Sequence, residues 1–429
     1  MRARVYDERG AELEGAEAQT RYEVTHGHNG RAEFDADHLV EATRTALDRA
    51  RRAGEVDAVA MSCFWHSLLA VDASGRALGP LLTWRDQRSA PEADELRDRL
   101  DADAVHARTG CVLHPSYWPA KLCWLRRHDS ETFRSAARFV SFSDYFGGDG
   151  RTSISIASGT GLLDVHRCVW DEELLEILGL EREQLPELSD EPLVFGDGAC
   201  SNVGAGCVTR DRAALMVGTS GAYRVLFEAD RATPRRGLFL YRLDRRRFVE
   251  GGALSDGGNL WAWLHDTLRL EPSADATERP PGAHGLVFLP LLGGERAPGW
   301  KGAARGALAG LSFDTEPLDI LQAALEGIAF RFAAIAELLP EVEDVVATGH
   351  ALAASPGWVQ ILADVLERPV TLSAVEEGSA RGAAVAALER LGFEPEPAPL
   401  GRVFEPRPER SETYREARER QRQLYDAVT

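Results

Sequence analysis

An aspartate held between two glycines, Gly196-Asp197-Gly198, stands near the middle of this chain. An aspartate in a glycine turn can approach a bound hydroxyl group and accept its proton during a reaction, an effect worth about 10²–10⁴ in rate. The same pattern also occurs in ordinary turns, where the carboxylate bonds to nearby backbone N–H groups. The pattern alone therefore leaves two interpretations open for Asp197, a general base and a turn residue.

A short loop of small residues follows further along the chain, after an apolar run, and consists of Gly218, Thr219, Ser220 and Gly221. Glycines and small hydroxyl residues let backbone N–H groups reach phosphate oxygens without interference from larger side chains. The loop is weak evidence by itself. Together with the acid it indicates phosphoryl transfer from a nucleotide to an alcohol.

Two earlier stretches combine aromatic rings with polar groups, FWHS at residues 64–67 and TWRDQR at residues 83–88. A polar, ring-shaped ligand needs a flat face for stacking and charged groups for its hydroxyls. The alternative is that both tryptophans are core residues and that the aspartate and the last arginine form a surface pair. The candidate ligand contacts in these stretches are Trp65, His66, Trp84, Asp86 and Arg88.

The elements that must position these residues repeat the order strand, glycine-containing turn, helix. The pattern predicts a strand over residues 2–6, a helix that ends near Arg52 and a buried strand over residues 56–61. Beyond Gly221 the pattern restarts, with a long helix over residues 318–339. This layout predicts an α/β fold whose ligand site lies at the carboxyl ends of the strands.

Length and composition narrow the function classes. The chain has 429 residues, enough for two sizeable domains, and a formal charge of −19 argues against nucleic-acid binding and against docking on anionic membranes. Its six cysteines include no CxxC pair, which favours reduced thiols over a disulfide or metal framework. The sequence has no transmembrane-length apolar run and no signal-peptide core, so we predict a cytoplasmic protein.

Taken in order, these stretches resemble the FGGY family of carbohydrate kinases, most of all its gluconokinase and xylulokinase branches. Each match is short, and the resemblance rests on the shared order over nearly the whole chain. The matching stretches are residues 64–67, 83–88, 158–164, 196–199, 218–221, 251–259, 294–298, 304–306, 348–349 and 379–384.

The resemblance implies a ribonuclease H-like fold of the actin and hexokinase type, with two domains and an active site in the cleft between them. The expected domains are residues 1–206, which bind sugar, and residues 207–429, which bind nucleotide. The resemblance further implies ATP and Mg²⁺ as cofactors and a sugar or sugar acid as the acceptor. D-gluconate is the expected acceptor, because the two aromatic stretches are most similar to those of gluconate-type members of the family. The resemblance does not assign the metal ligands. The protein could form a homodimer, but the sequence does not decide its oligomeric state.

The resemblance also assigns roles to single residues. Asp197 matches the general base that removes the proton from the hydroxyl that attacks the γ-phosphate of ATP. Residues 218–221 match a phosphate loop, Gly306 and Gly349 match the adenine-nucleotide site, and His350 stands next to it. The residues that fall where the family binds sugar or sugar acid are His66, Trp84, Asp86 and Arg88, with Trp65 beside them.

Three departures from the family pattern qualify this expectation. Family members begin with a strand and a loop resembling Asp-Ile-Gly-Thr-Ser-Ser, whose aspartate helps to hold Mg²⁺, and this chain begins just past that point. We therefore expect a start further upstream, with the extra strand lying between those at residues 2–6 and 56–61. The connection before Asp197 is short, and His350 replaces a usual glycine, where it could crowd the nucleotide or stack on it. The alternative function is a catalytically impaired or non-catalytic sugar-binding relative.

Overall fold

The computed structural model describes residues 1–27, 29–271 and 273–429, which form two α/β domains with a cleft between them. The strands of the first domain are β1 (Arg2–Tyr6), β2 (Glu12–Gln19), β3 (Thr25–His26), β4 (Ala32–Phe34), β5 (Met61–Cys63), β6 (Leu69–Val71), β7 (Leu81–Leu82), β8 (Arg138–Val140), β9 (Arg151–Ser153), β10 (Leu163–Asp164), β11 (Val169–Trp170), β12 (Glu187–Ser189) and β13 (Val194–Gly196). Its helices are α1 (Ala36–Ala50), α2 (Ala90–Arg99), α3 (Ala102–Thr109), α4 (Trp118–His128), α5 (Ser130–Ser135), α6 (Phe142–Gly147), α7 (Ile154–Ser158), α8 (Glu172–Leu178) and α9 (Asp197–Gly204).

Strand pairing in the first domain brings two functional stretches together. β5 and β13 pair in parallel, with Cys63 opposite Gly196. Both strands therefore end at the same level, and the residues that follow them, Phe64 and Asp197, leave the sheet side by side. The other strands of this domain pair in small groups, β1 with β2, β3 with β4 and β7, β6 with β8, β9 with β12, and β10 with β11.

The second domain is built on one larger mixed sheet. Its strands are β14 (Arg212–Val217), β15 (Gly221–Glu228), β16 (Phe239–Arg242), β17 (Arg247–Leu254), β18 (Val287–Leu289), β19 (Ala307–Ala309), β20 (Asp344–Thr348), β21 (Val370–Ser373) and β22 (Leu400–Phe404). Its helices are α10 (Gly258–Thr267), α11 (Pro317–Ala336), α12 (His350–Ala354), α13 (Pro356–Leu366), α14 (Gly378–Arg390) and α15 (Pro408–Val428). The seven-stranded sheet has the order β16-β17-β15-β14-β20-β21-β22, and its β14, β20 and β21 are parallel to one another.

Helices α9 and α14 join the domains through very close packing. A Cβ atom added at Gly382 of α14 would lie 1.8 Å from the carbonyl oxygen of Cys200 in α9, and one added at Gly204 would lie 1.8 Å from the carbonyl oxygen of Gly378. Only glycine permits this approach of the two backbones. The close contact fixes the position of α9, which carries Asp197 at its first residue.

The predicted strand over residues 56–61 is wrong except at its end. Only Met61 belongs to β5, and residues 56–60 have no regular structure, with Val59 47% exposed. Among the described residues, β5 pairs with β13 alone and β1 with β2 alone, so no neighbouring strand holds residues 56–60 extended. The strand expected between β1 and residues 56–61 stays a prediction.

Other sequence predictions agree with the structure. Asp35 caps α1, where its carboxylate accepts a hydrogen bond of 2.9 Å from the N–H of His38. The long helix predicted over residues 318–339 is α11. In the described part of the chain, no helix has both the length and the apolar character that a membrane crossing demands.

Candidate active site

A cavity of about 1340 Å³ lies between the domains and is lined by residues of both. Its lining includes β1 and residues 55–62. The lining also contains an acid, two arginines, hydroxyl groups and aromatic rings, which are the groups needed to hold a polar ligand with a hydroxyl to be activated. The residues of this second group are Trp65, His66, Trp84, Asp197, Thr219, Ser220, Arg224, Tyr241 and Arg296.

Asp197 is the first residue of α9, and its side chain faces the cavity. The N–H of Gly198 donates to its carboxylate at 2.8 Å. The group is open to a small molecule inside the cavity but surrounded by protein, and this burial raises the pKa of Asp197 above its ordinary value, while Arg224 acts in the opposite direction. A carboxylate in this setting can accept a proton from a bound hydroxyl.

The glycines on either side of Asp197 are required by packing. A Cβ at Gly196 would lie 1.8 Å from Cε2 of Trp65, and a Cβ at Gly198 would lie 2.6 Å from Nη1 of Arg224. Trp65 itself is buried, and its indole N–H donates to the carbonyl of Ser155 at 2.8 Å. Its polar atom is therefore already bonded, and the ring surface is the part of Trp65 that remains for a ligand.

His66 is held in an unusual backbone conformation, with φ of 69° in the left-handed region. Its ring Nδ1 bonds to the carbonyl of Gly159, which can only accept, so Nδ1 carries the proton and Nε2 is left as an acceptor. Burial lowers the pKa of His66 well below its ordinary value, and Arg296 adds to this effect. A neutral His66 can thus accept a hydrogen bond from a ligand hydroxyl.

Lys121 supports His66 from behind the cavity wall. Its Nζ is buried and donates to the carbonyls of His66 and Ser116, both at 2.7 Å. Burial lowers the pKa of Lys121 to about 7. The two hydrogen bonds hold the backbone of His66 in place.

The predicted sugar contacts do not all reach the cavity. Trp84 lines it, whereas Asp86 and Arg88 do not appear in its lining. Arg88 pairs with Asp86 at 2.6 Å and with Glu33 at 2.8 Å. The carboxylate of Asp86 also accepts the N–H of Ala32 at 3.1 Å. These groups are bonded to each other, so a direct contact between this pair and a ligand in the cavity needs a rearrangement.

The predicted phosphate loop connects β14 to β15 and is held by backbone hydrogen bonds. Gly258 N–H donates to the carbonyl of Gly218 at 2.9 Å, and Asn259 N–H donates to that of Thr219 at 3.0 Å. These bonds leave the hydroxyls of Thr219 and Ser220 next to the cavity. The loop can present hydroxyl and N–H donors to an anionic group.

The end of β20 lies against the same loop. Gly349 has a φ of 98°, and a Cβ there would lie 2.3 Å from the carbonyl oxygen of Val217, so only glycine fits. His350, the first residue of α12, is exposed beside it. Gly306 lies apart from this loop, just before β19, where a Cβ would meet Leu292 at 2.6 Å.

Metal ligands are sparse in the described residues. No group of three or more His, Cys, Asp and Glu side chains is arranged to hold a metal ion there. Asp197 lines the same cavity as Thr219 and Ser220. One carboxylate suits Mg²⁺, which is commonly bound by one or two carboxylates together with substrate phosphates.

Sequence reasoning missed Arg224 and Arg296 as site residues. Arg224 lies in β15 just after the phosphate loop, and Arg296 lies in the stretch 294–298 that was used only as a family match. The available signal was the charge of Arg224 within a strand that is otherwise almost entirely apolar, since such a charge is seldom buried without a partner.

Comparison with known proteins places these features in a family. The N-terminal domain model of the FGGY family of carbohydrate kinases matches residues 1–201, and the C-terminal domain model matches residues 190–389. Gluconokinase from Bacillus subtilis (strain 168) is 28% identical over 381 residues, which cover 78% of this chain and 74% of that protein.

Solved structures give the same result. Gluconate kinase from Lactobacillus acidophilus has a TM-score of 0.89 at 26% identity, with 100% of this chain and 95% of that chain covered. The ligand-bound xylulose kinase from the same organism has a TM-score of 0.90 at 26% identity, with 100% and 96% covered. The similarity extends over both domains and the cleft between them.

Proposed function

Because this chain belongs to the FGGY family of carbohydrate kinases, we propose that it transfers the γ-phosphate of ATP to a hydroxyl of D-gluconate. The family consists of phosphotransferases that act on alcohol groups, and sugar kinase activity follows from membership. Asp197 and the hydroxyls of Thr219 and Ser220 line one cavity, and this single observation carries the proposal. We choose gluconate among the possible acceptors because a gluconokinase and a gluconate kinase are among the similar proteins.

In the proposed reaction Asp197 accepts the proton of the acceptor hydroxyl. The oxygen forms a bond to the γ-phosphorus, the bond from phosphorus to the β,γ-bridging oxygen breaks, and ADP leaves. Burial raises the pKa of Asp197, which makes its carboxylate a stronger base, and the positive charge of Arg224 opposes this rise.

The acceptor is oriented by groups on the first domain. His66 accepts a hydrogen bond from one of its hydroxyls through Nε2, and Lys121 keeps the backbone of His66 in place. Trp84 provides a half-buried aromatic surface in the same wall. Correct orientation matters because reacting groups must be aligned closely for an efficient transfer.

The nucleotide is held by the second domain. Residues 218–221 contact the phosphates through N–H and hydroxyl groups, and Gly349 and His350 lie where the rest of ATP extends. Mg²⁺, when bound, would neutralise charge on the phosphates and would take its ligands mainly from phosphate oxygens and water, so that Asp197 stays available as the base.

The proposal is tested by measuring ATP consumption in the presence of Mg²⁺. The acceptor panel contains D-gluconate, D-xylulose, D-ribulose, glycerol and D-glucose, and phosphorus NMR identifies the phosphate ester formed. This chain and a version that starts further upstream in the same reading frame are assayed together. We expect the highest kcat/KM with D-gluconate. Sugar binding without turnover in both proteins would instead support the non-catalytic alternative, and preference for a neutral sugar would contradict the choice of gluconate.

A further inference from the structure

Two arginines of the second domain are buried in the cavity wall without an acidic partner. Arg224 of β15 is 5% exposed and Arg296, which lies between β18 and β19, is 8% exposed. Within the described residues neither forms an ion pair, and Arg224 Nη2 and Arg296 Nε have no hydrogen-bond partner. Arg224 Nε donates to Asn202 at 3.3 Å. These two atoms are enclosed by protein, and because both arginines line the cavity, the other nitrogens of their guanidinium groups are the donors left for a ligand.

An unpaired buried charge is costly and calls for a counterion. Removing a guanidinium from water is offset only when an anion and good hydrogen bonds replace the water. Burial lowers the pKa of Arg224 to about 10, with Asp197 acting against this and Arg296 adding to it, so Arg224 is still charged at neutral pH. One carboxylate, Asp197, thus stands against two guanidinium groups in this wall.

The acid nearest to Arg296 along the chain is already occupied. Glu295 is buried, pairs with Arg331 and accepts the hydroxyl of Tyr425 at 2.8 Å. His114, close to Arg296, is also kept neutral, because burial lowers its pKa to about 3 and Arg296 contributes to the shift. Within this part of the lining, Arg296 and Arg224 therefore contribute two positive charges and Asp197 one negative charge.

We propose that Arg296, assisted by Arg224, forms a subsite for the carboxylate of the acceptor, which makes this enzyme selective for sugar acids over neutral sugars. Guanidinium groups match carboxylates in shape and can bond to them through two parallel N–H donors. The guanidinium of Arg296 lies 5.2 Å from the centre of the Trp84 ring, which limits its movement. A neutral sugar would offer Arg296 no carboxylate to offset its charge.

This inference rests on the proposed function and predicts which part of the acceptor is recognised. Asp197 defines where the reacting hydroxyl lies, and its negative charge excludes the carboxylate of the acceptor from the same place. The carboxylate is then directed to Arg296. A polyhydroxy acid with its carboxylate at one end and the reacting hydroxyl further along the chain satisfies both groups.

The test measures equilibrium binding by calorimetry in the absence of ATP, with D-gluconate and D-glucitol as ligands. D-glucitol has the same hydroxyl pattern, with a CH₂OH group where gluconate has its carboxylate. We expect the wild-type protein to bind gluconate at least about tenfold more tightly. In Arg296→Met, gluconate affinity falls about 30- to 100-fold, as for loss of one partner of a buried charge pair, and glucitol affinity stays the same.

Two further variants keep the result interpretable. Arg296→Lys retains the charge but loses the two-donor geometry, so its affinity for gluconate should fall between the wild type and Arg296→Met. Arg402→Met, on the exposed strand β22, is the control and should bind as the wild type does. Equal losses for both ligands, or equal binding of both by the wild type, would overturn the proposal, as would the absence of any gluconate binding.

Failure of the inference and failure of the proposed function can be told apart. Binding is measured without nucleotide, so tight and Arg296-dependent gluconate binding with no turnover would reject the kinase assignment and keep the subsite. Turnover of a neutral sugar, with gluconate binding unchanged in Arg296→Met, would keep a kinase and reject the subsite.

Discussion

Asp197 is the residue on which the proposed chemistry depends. Replacing it with asparagine keeps the size and the position at the start of α9 but removes the proton acceptor. We expect Asp197→Asn to lower kcat for gluconate by about 10²–10⁴ with little change in nucleotide affinity. Steady-state kinetics and ADP titration measure the two quantities, with Asp98→Asn on the exposed face of α2 as a control. Nearly intact turnover would exclude Asp197 as the base.

The ionisation of Asp197 should respond to Arg224. Burial raises the pKa of Asp197, and the positive charge of Arg224 lowers it again. Arg224→Gln removes the lowering effect, so the pKa of Asp197 rises further. Because the base works only when deprotonated, the acidic limb of the profile of kcat/KM against pH should move to higher pH. A limb that stays in place while kcat/KM falls uniformly would limit Arg224 to substrate binding.

Some site residues could be predicted from sequence because their chemistry depends on local structure. The glycines around Asp197 and the strand end before His66 are such local signals, and the structure brings both residues to one cavity. The positions of Asp86 and Arg88 depend on Glu33, which is far away in the sequence, so their mutual pairing could not be predicted. The free donors of Arg296 depend in the same way on Arg331 binding Glu295.

The parallel pair β5 and β13 positions Asp197 only if the turn after β13 has no side chain. A Cβ at Gly196 would overlap the ring of Trp65 at 1.8 Å. We expect Gly196→Ala to lower the free energy of unfolding by about 1–3 kcal/mol and to reduce kcat, because either the ring or α9 must move. Denaturant unfolding and kinetics measure both effects.

A matched control separates this overlap from the general effect of replacing glycine. Gly79→Ala introduces a Cβ that meets no atom within 4 Å and should be neutral. Adding Trp65→Phe to Gly196→Ala should give a smaller loss than the sum of the two single losses, since the smaller ring makes room. Strictly additive losses would show that Gly196 is needed for another reason.

Long helices and capped helix starts were predictable from sequence, whereas the strand over residues 56–61 was not. A short apolar run predicts a strand only if neighbours supply hydrogen bonds, and that condition depends on the rest of the fold. The run of small residues at 379–384 differs from this strand, because it was noted in the sequence but its physical role was not predicted. The sequence matched the family there. The structure shows that the run lets α14 pack closely on α9, a contact that depends on the position of α9.

The two domains and the C-terminal helix act on one site. The C-terminal helix α15 is rich in charged residues, yet it buries Tyr414, Ala417 and Gln421. Gln421 donates to the carbonyls of Phe288 and Gly327 at 2.7 and 3.0 Å. Through these contacts the end of the chain is attached to β18 and α11, and β18 leads into the segment that carries Arg296.

Helix α15 also contacts the residue next to Arg296, because the hydroxyl of Tyr425 donates to Glu295 at 2.8 Å. Tyr425→Phe removes that hydrogen bond and leaves Glu295 held by Arg331 and by the backbone N–H groups of Gly299 and Lys301. We expect unfolding to become easier by about 1 kcal/mol. We also expect KM for gluconate to rise about three- to tenfold with kcat little changed, because the neighbouring Arg296 binds the acceptor but does not take part in the transfer. Tyr145→Phe, whose hydroxyl bonds to Asp37 in the first domain, is the control and should leave KM unchanged. A stability loss in Tyr425→Phe without any change in KM would mean that α15 stabilises the fold and has no influence on substrate binding.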